Sequence, residues 1–284
     1  MTETCRWYPD ASPHSIILEH LRMYQTKIED LRLFMPLFKP DYRTLLNIGD
    51  CKSLTTLHVG NIQTTAHLSQ INNLLEGGSS IESLRLEIES SVSLEDRRLL
   101  LIPESLMKLD TKHRPTYVRL AYFPLAEIPQ SLKSYLNLDH LIDLVLISCE
   151  HDKELLQAMT ASKKSMKIHT FELVTPTPDD IPEFLTCFQG LKHLHLFFKE
   201  MDAGFSTALI DSILHHKKTL ETLVLDGRFR THSTAVAPKE AHLAQLRKLE
   251  KLRDFAFSPE HYSSEAEVLS PPYFLLQLIT EPTR

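Results

Sequence analysis

Two histidines stand two residues apart in the stretch LKHLHLF, at His193 and His195. In a β-strand this spacing puts both imidazoles on the same face, and Glu172 is expected on the neighbouring strand. Two imidazoles and a carboxylate are ligands that suit a transition metal. The spacing fixes no third strong ligand, so histidines exposed on a sheet are the simpler interpretation. We therefore expect no metal and no cofactor, and keep an enzyme that uses the 193–195 strand as an alternative.

Four basic residues recur in the N-terminal part of the chain. Each lies between the last two apolar residues of a repeated pattern, L-x-x-L-x-L. They are Arg32, His58, Arg85 and Arg119. Because neighbouring strands lie about 4.8 Å apart, such side chains can share one ligand group. Guanidinium groups bind carboxylates well, which suggests a contact with an acidic segment of a protein partner. The alternative is a solvated face whose arginines form salt bridges with Asp30 and Glu87.

The sequence lacks the motifs of the common enzyme classes. It contains no G-x-S-x-G, G-x-G-x-x-G or G-x-x-x-x-G-K, and only 7 of its 284 residues are glycine. Its four cysteines are widely scattered, with no C-x-x-C pair for zinc or redox chemistry. We therefore expect a protein that is not an enzyme, from a reducing compartment.

The overall composition is that of an ordinary globular protein. Hydrophobic residues make up 42% and charged residues 24%, with a formal net charge of −6. This balance indicates neither nucleic acid nor a membrane as partner. The longest aliphatic runs, such as LLLI at 99–102, are too short to span a bilayer, and the N-terminus does not resemble a secretory signal. We expect an intracellular monomer, cytoplasmic or nuclear.

An apolar triplet with the spacing L-x-x-L-x-L recurs along the chain. Its middle residues are Leu31, Leu57, Leu84, Val118, Leu144, Phe171, Leu194, Leu223 and Phe255. The mean interval is about 28 residues, within the range of 20–29 that is typical of leucine-rich repeats. Such a regular series indicates nine strands built from one repeated unit.

The segments between the triplets have the apolar period of helices. HLSQINNLLEG predicts a helix that ends at Gly77, Asp152 is a candidate N-cap, and His215, His216 and Lys217 suit the negative end of a helix dipole. Alternating strands and helices predict an α/β fold with parallel strands. A doubly wound fold is the rival, but its strands are buried on both faces, whereas polar residues alternate with apolar ones here.

The triplets resemble those of leucine-rich repeat proteins, with Cys149 at a position where that family often has cysteine. The irregular repeat lengths and proline-rich loops are similar to the repeat portion of fungal F-box/leucine-rich-repeat proteins, although no F-box is seen. The resemblance implies a solenoid shaped as a curved horseshoe, with about nine irregular repeats. Its parallel strands would lie on the concave face and its helices on the convex face. We expect one domain over 1–284, with repeats at 14–258 and a C-terminal loop and capping segment at 259–284.

These observations favour a protein–protein interaction module that binds its partner on the concave sheet, as a substrate-recognition or adaptor protein. A substrate receptor of a ubiquitin ligase, working through an F-box absent from this chain, is an alternative. The long segments 226–240 and 258–272 are further candidates for recognition. The predicted partner-binding residues are Arg32, His58, Arg85, Arg119, Glu172, His193, His195 and Phe197.

Overall fold

The structure, a computed structural model, describes residues 3–6, 28–34, 53–77, 81–100, 115–125, 140–162, 166–175, 179–201, 205–229, 238–257 and 275–277. Its contacts divide the chain into two compact units, Met1–Lys164 and Ser165–Arg284. Within the described ranges, no helix is long and apolar enough to cross a membrane.

The first unit is an α/β arrangement of parallel strands that follow one another in chain order. Its strands are β1 (Glu3–Arg6), β2 (Ile28–Phe34), β3 (Thr56–Ile62), β4 (Ser83–Ile88), β5 (Tyr117–Ala121) and β6 (Asp143–Ile147). Its helices are α1 (Thr65–Gly77), α2 (Leu94–Arg97) and α3 (Asp152–Ala161). The predicted helix ending at Gly77 is confirmed by α1, whereas β1 was not predicted.

The second unit continues the same alternation of strand and helix. Its strands are β7 (Thr170–Thr175), β8 (His193–Met201), β9 (Thr222–Phe229), β10 (Asp254–Phe257) and β11 (Leu275–Gln277). Its helices are α4 (Ile181–Thr186), α5 (Thr207–Leu214) and α6 (Glu240–Leu246). Strands β7 to β10 are parallel and in chain order, and β11 pairs antiparallel with β10. In neither unit does the strand order reverse as it does in a doubly wound fold.

The apolar triplets form the strands and supply the core. All nine middle residues of the triplets lie in β2 to β10, and each is at most 5% exposed. In the first unit Leu31, Leu57, Leu84, Val118 and Leu144 pair in register. Phe171, Leu194, Leu223 and Phe255 do so in the second unit. The predicted α/β class and strand register are therefore confirmed.

The start of most strands repeats one backbone arrangement. The N–H groups of Glu82 and Ser83 both donate to the carbonyl of Thr55, at 2.8 and 3.0 Å. The next repeat does the same, with Thr116 and Tyr117 donating to the carbonyl of Glu82. Equivalent pairs of bonds precede β6, β8, β9 and β10. Each repeat thus fixes the register of the next before its strand begins.

Helices cover the leucine-bearing face of the sheet. In the second unit the ring of Phe171 on β7 lies 4.9 Å from that of Phe184 on α4, and Phe184 lies 5.3 Å from Phe188. Helix α5 contacts both α4 and α6. In the first unit α1 buries Leu68, Ile71 and Leu75. We call the other face of the sheet, on which the residues between the triplet positions lie, the open face.

Two local predictions need adjustment or fall outside the described residues. Helix α3 begins one residue earlier than expected, because His151, with φ of 60°, is its N-cap, and Asp152 is the first helical residue. The Asp152 carboxylate still accepts a hydrogen bond from the N–H of Lys153 at 2.8 Å. The beginning of the predicted repeat region, 14–25, and residues 230–237 and 258–274 lie outside the described ranges.

His216 does not act as a cation at the end of α5, which corrects the sequence-based expectation. The residue is only 2% exposed, and its Nε2 donates to the carbonyl of Leu185 at 2.9 Å. Burial lowers the pKa of His216 to about 4, against the opposing effect of that hydrogen bond. The imidazole is therefore neutral at pH 7 and joins the core beside Phe188, whose ring centroid is 5.2 Å away.

We predict that His216 makes the protein less stable as the pH falls from about 6.5 to about 4. The unfolded chain binds a proton near pH 6.5, whereas the folded chain binds it only near pH 4. Over that window the unfolded state holds more protons, so the free energy of unfolding decreases by at most about 3 kcal/mol. Urea unfolding at pH 7 and pH 4.5 measures this change.

The substitution His216→Gln isolates the effect, because glutamine keeps a donor for the Leu185 carbonyl and does not titrate. We expect the variant to lose less stability on acidification than the original protein. The matched control is His140→Gln, since His140 is exposed, is not among the groups that shift the pKa of His216 and should leave the pH dependence unchanged. An identical loss in all three proteins would show that His216 is not the titrating group.

Candidate functional site

The open face of the first unit carries a row of basic side chains, which we call the basic row. Arg32 pairs with His58, His58 with Arg85, and Arg85 with Arg119 in the register of β2 to β5. All four residues are half-buried. The sheet thus brings together four residues, each of which is 26 to 34 positions from the next in sequence, as the triplet spacing predicts.

Arg32 at the first end of the row is already occupied by an ion pair. Its Nη2 donates to Asp30 Oδ2 at 2.9 Å, and its Nε lies 3.1 Å from Oδ1. Asp30 stands two residues earlier on the same strand and therefore on the same face. For this arginine the salt-bridge alternative holds, so its guanidinium is a weaker candidate for an external anion.

Arg85 and Arg119 are in a different situation. The Nε of each is buried without a hydrogen-bond partner among the residues that the structure describes. Burial lowers the pKa of Arg85, and the positive charge of Arg119 lowers it further. Arginine side chains stay protonated in proteins at pH 7, so this is a pair of like charges. The positive charges of Arg85 and Arg119 therefore lie side by side, and the Nε–H of each has no acceptor in the described part of the chain.

His58 separates Arg32 from Arg85 and is neutral. Burial lowers its pKa to about 4, and the charges of Arg85, Arg32 and Arg119 add to the effect against Asp30. The ring of Phe34 contacts His58 edge-on, with the two ring centroids 5.3 Å apart. Phe34 also lies over Gly60, where a Cβ would approach the ring to 2.8 Å. Glycine at this position leaves the space that the Phe34 ring occupies.

The row of solvent-reaching side chains ends at Arg119. Val145, its register partner on β6, is only 3% exposed, and Ala121 is 1% exposed. Alternation along the strands places both residues on the open face. Strand alternation predicts correctly which way a side chain points, but neighbouring groups decide whether water reaches it.

The open face of the second unit has a different character. Glu172, His195, Val224 and Ala256 form one row in register. Burial lowers the pKa of His195, although the charge of Glu172 opposes that shift. The predicted residues Glu172, His193, His195 and Phe197 are therefore close together on β7 and β8.

His193 belongs to a short hydrogen-bonded chain across three strands. The Thr222 hydroxyl lies 3.5 Å from Asp254 Oδ2 and 3.2 Å from His193 Nδ1. Because a carboxylate only accepts, the hydroxyl donates to Asp254, and His193 Nδ1–H donates to Thr222. This arrangement orients the imidazole and leaves its Nε2 as an acceptor.

A groove of about 730 Å³ runs over this face, which we call the β7–β10 groove. Sequence analysis identified three of its lining residues, Glu172, His195 and Phe197. It did not single out the others that define its chemistry, which are Val174, Val224, Asp226, Asp254 and Ala256. Strand alternation could have identified these residues, because each lies two residues along its strand from another groove residue and therefore on the same face of the sheet.

The geometry does not assemble a metal site within the described ranges. Among those residues, no three histidine, cysteine or acidic side chains lie close enough to hold a metal ion. Cys149 is buried, with its Sγ 3.5 Å from the Leu120 carbonyl, and burial raises the pKa of its thiol to about 12. The thiol is thus a structural group that lies against the turn after β5.

Comparison of the chain with protein-family models, with curated proteins and with solved structures finds no match.

We predict that the substitution Arg85→Gln raises the pKa of His58 above about 4. Arg85 is the charge with the largest influence on His58 after burial, and glutamine removes that charge while keeping a polar side chain. The pKa can be measured by following the His58 ring resonances in an NMR titration.

The control for this titration is Arg98→Gln, because Arg98 is not among the charges that shift the pKa of His58 and lies in an exposed pair with Glu150. A His58 pKa that stays the same in Arg85→Gln would mean that burial alone sets it.

Proposed function

We propose that the chain is a non-enzymatic protein–protein interaction module of the leucine-rich repeat type, which binds an acidic segment of its partner on the basic row. The observation that carries the proposal is the adjacent pair Arg85 and Arg119, half-buried and each with an Nε that has no hydrogen-bond partner in the described part of the chain. The repeat architecture is supported by the five in-register triplets of the first unit, the four of the second unit and the repeated backbone bonds before the strands.

An anionic ligand would offset the repulsion between the two guanidiniums of this pair. The Nε of each is already buried, so the ligand acts on the terminal amino groups of the two side chains. A carboxylate between Arg85 and Arg119 accepts from both, and such charge-assisted bonds are about twice as strong as neutral ones. The site therefore gains more from an acidic segment than a fully solvated arginine does.

The residues around the pair limit what the ligand can be. Glu87 lies two residues after Arg85 on the same face, and its charge stabilises the Arg85 cation. Neutral His58 and the ring of Phe34 make the next part of the row apolar. The best ligand therefore has one or two carboxylates over Arg85 and Arg119, followed by an apolar side chain toward Phe34.

A fluorescein-labelled peptide of alternating glutamate and leucine tests this function by fluorescence anisotropy. We expect it to bind the original protein and to bind the double variant Arg85→Glu, Arg119→Glu at least about tenfold more weakly, which corresponds to about 1.4 kcal/mol. The loss follows because each reversal replaces an attractive contact with a repulsive one.

The matched control is Arg98→Glu, Lys153→Glu, which changes the net charge equally at exposed positions of the same unit. It should retain the original affinity. An equal loss in both double variants would show that only the overall charge matters, and binding that survives in Arg85→Glu, Arg119→Glu would reject the basic row as the site.

A further inference from the structure

The β7–β10 groove combines an apolar centre with acidic margins. Val174, Phe197, Val224 and Ala256 supply the apolar side chains. Glu172 stands at one margin on β7 and Asp254 at the other on β10, and Asp226 lies in the middle of β9 and is 3% exposed. Its volume of about 730 Å³ is within the range of sites that enclose a ligand.

The charges of the groove all have one sign. Among its lining residues there are three carboxylates and no lysine or arginine. The one basic group, His195, has its pKa lowered by burial and so adds little positive charge at pH 7. A ligand that complements these walls is cationic at its ends and apolar between them.

The distance between the margins sets the spacing of those cationic groups. Glu172 and Asp254 are separated by the three intervals between β7, β8, β9 and β10, which is about 14 Å at 4.8 Å per interval. Asp254 also stands two residues before Ala256, the residue in register with Glu172, which adds about 7 Å along the strands and makes the separation about 16 Å. An extended peptide rises about 3.4 Å per residue, so four residues cover about 14 Å of this distance and the long basic side chains cover the remainder. Side chains at i, i+2 and i+4 of an extended peptide point to the same side.

We propose that the β7–β10 groove binds an extended segment of a partner protein that has basic residues at i and i+4 and an apolar residue at i+2. The two basic side chains pair with Glu172 and Asp254, and the apolar one lies on Phe197 and Val224. This site is separate from the basic row, and the proposal does not depend on the function of that row, since the two take ligands of opposite charge.

One carboxylate of the groove has a hydrogen-bond partner within the sheet. Asp254 accepts from Thr222, which in turn accepts from His193. The Thr222–Asp254 contact is 3.5 Å long and exposed, so it favours one orientation of the carboxylate without fixing it. Val224 is half-buried on β9 between its register partners His195 and Ala256.

Two labelled peptides of equal composition test the spacing. In one, two arginines lie at i and i+4 around a central leucine; in the other, the same residues are rearranged so that the arginines lie at i and i+3. Serine and threonine fill the remaining positions of both. We expect the first to bind at least about fivefold more tightly in fluorescence anisotropy, because only its arginines point to the same side of the strand.

Protein variants locate the contact. Glu172→Gln with Asp254→Asn should weaken binding of the i, i+4 peptide at least about tenfold, while Glu183→Gln with Asp211→Asn, two exposed acids of α4 and α5, should leave it unchanged. Circular dichroism confirms that each variant is folded. These two results together support the site.

Three outcomes would overturn the proposal. The first is equal affinity for the two arginine spacings, and the second is an equal loss in both pairs of variants. The third is the absence of binding by the i, i+4 peptide at millimolar concentration. None of these results bears on the basic row, whose probe is acidic.

Discussion

The structure depends on the way in which each repeat is tied to the one before it. Two consecutive N–H groups donate to a single carbonyl at the start of the strand, as Glu82 and Ser83 do to Thr55. Because the bonds involve only backbone atoms, they do not constrain the side chains that follow. Once they form, the triplet residues that follow have their partners assigned, and the leucine face and the open face follow from simple alternation. In the described pairings of β2 to β10, register shifts lie beyond the triplets, after Val59 in β3 and after Phe198 in β8.

Much of the fold could be predicted from the sequence because each triplet has both a fixed spacing and apolar residues at that spacing. The middle residue of every triplet, from Leu31 to Phe255, is buried in a strand, and the register pairs them without shifts at that position. Strand β1 was missed because the segment Glu3–Arg6 has no triplet of its own. It pairs with β2 through its backbone, and backbone pairing leaves little trace in side-chain pattern.

The candidate sites were predictable in outline and not in detail. The rows that contain Arg85, Arg119, Glu172 and His195 follow from counting residues along strands. Whether a row residue is satisfied by its neighbours does not follow, as the pairing of Arg32 with Asp30 shows. The burial of His216 illustrates the same limit, because a histidine at a helix end has the same local sequence whether it meets water or the carbonyl of Leu185.

The connections between strands differ in length, with intervals of 23 to 34 residues between triplets, yet the rows on the open face remain aligned. The sheet therefore separates two kinds of evolutionary change. Connections can lengthen or shorten without moving a residue of a row, and a substitution between triplet positions alters the surface without disturbing the core. Each repeat contributes one side chain to a row, so gaining or losing a whole repeat would lengthen or shorten the row by about 4.8 Å.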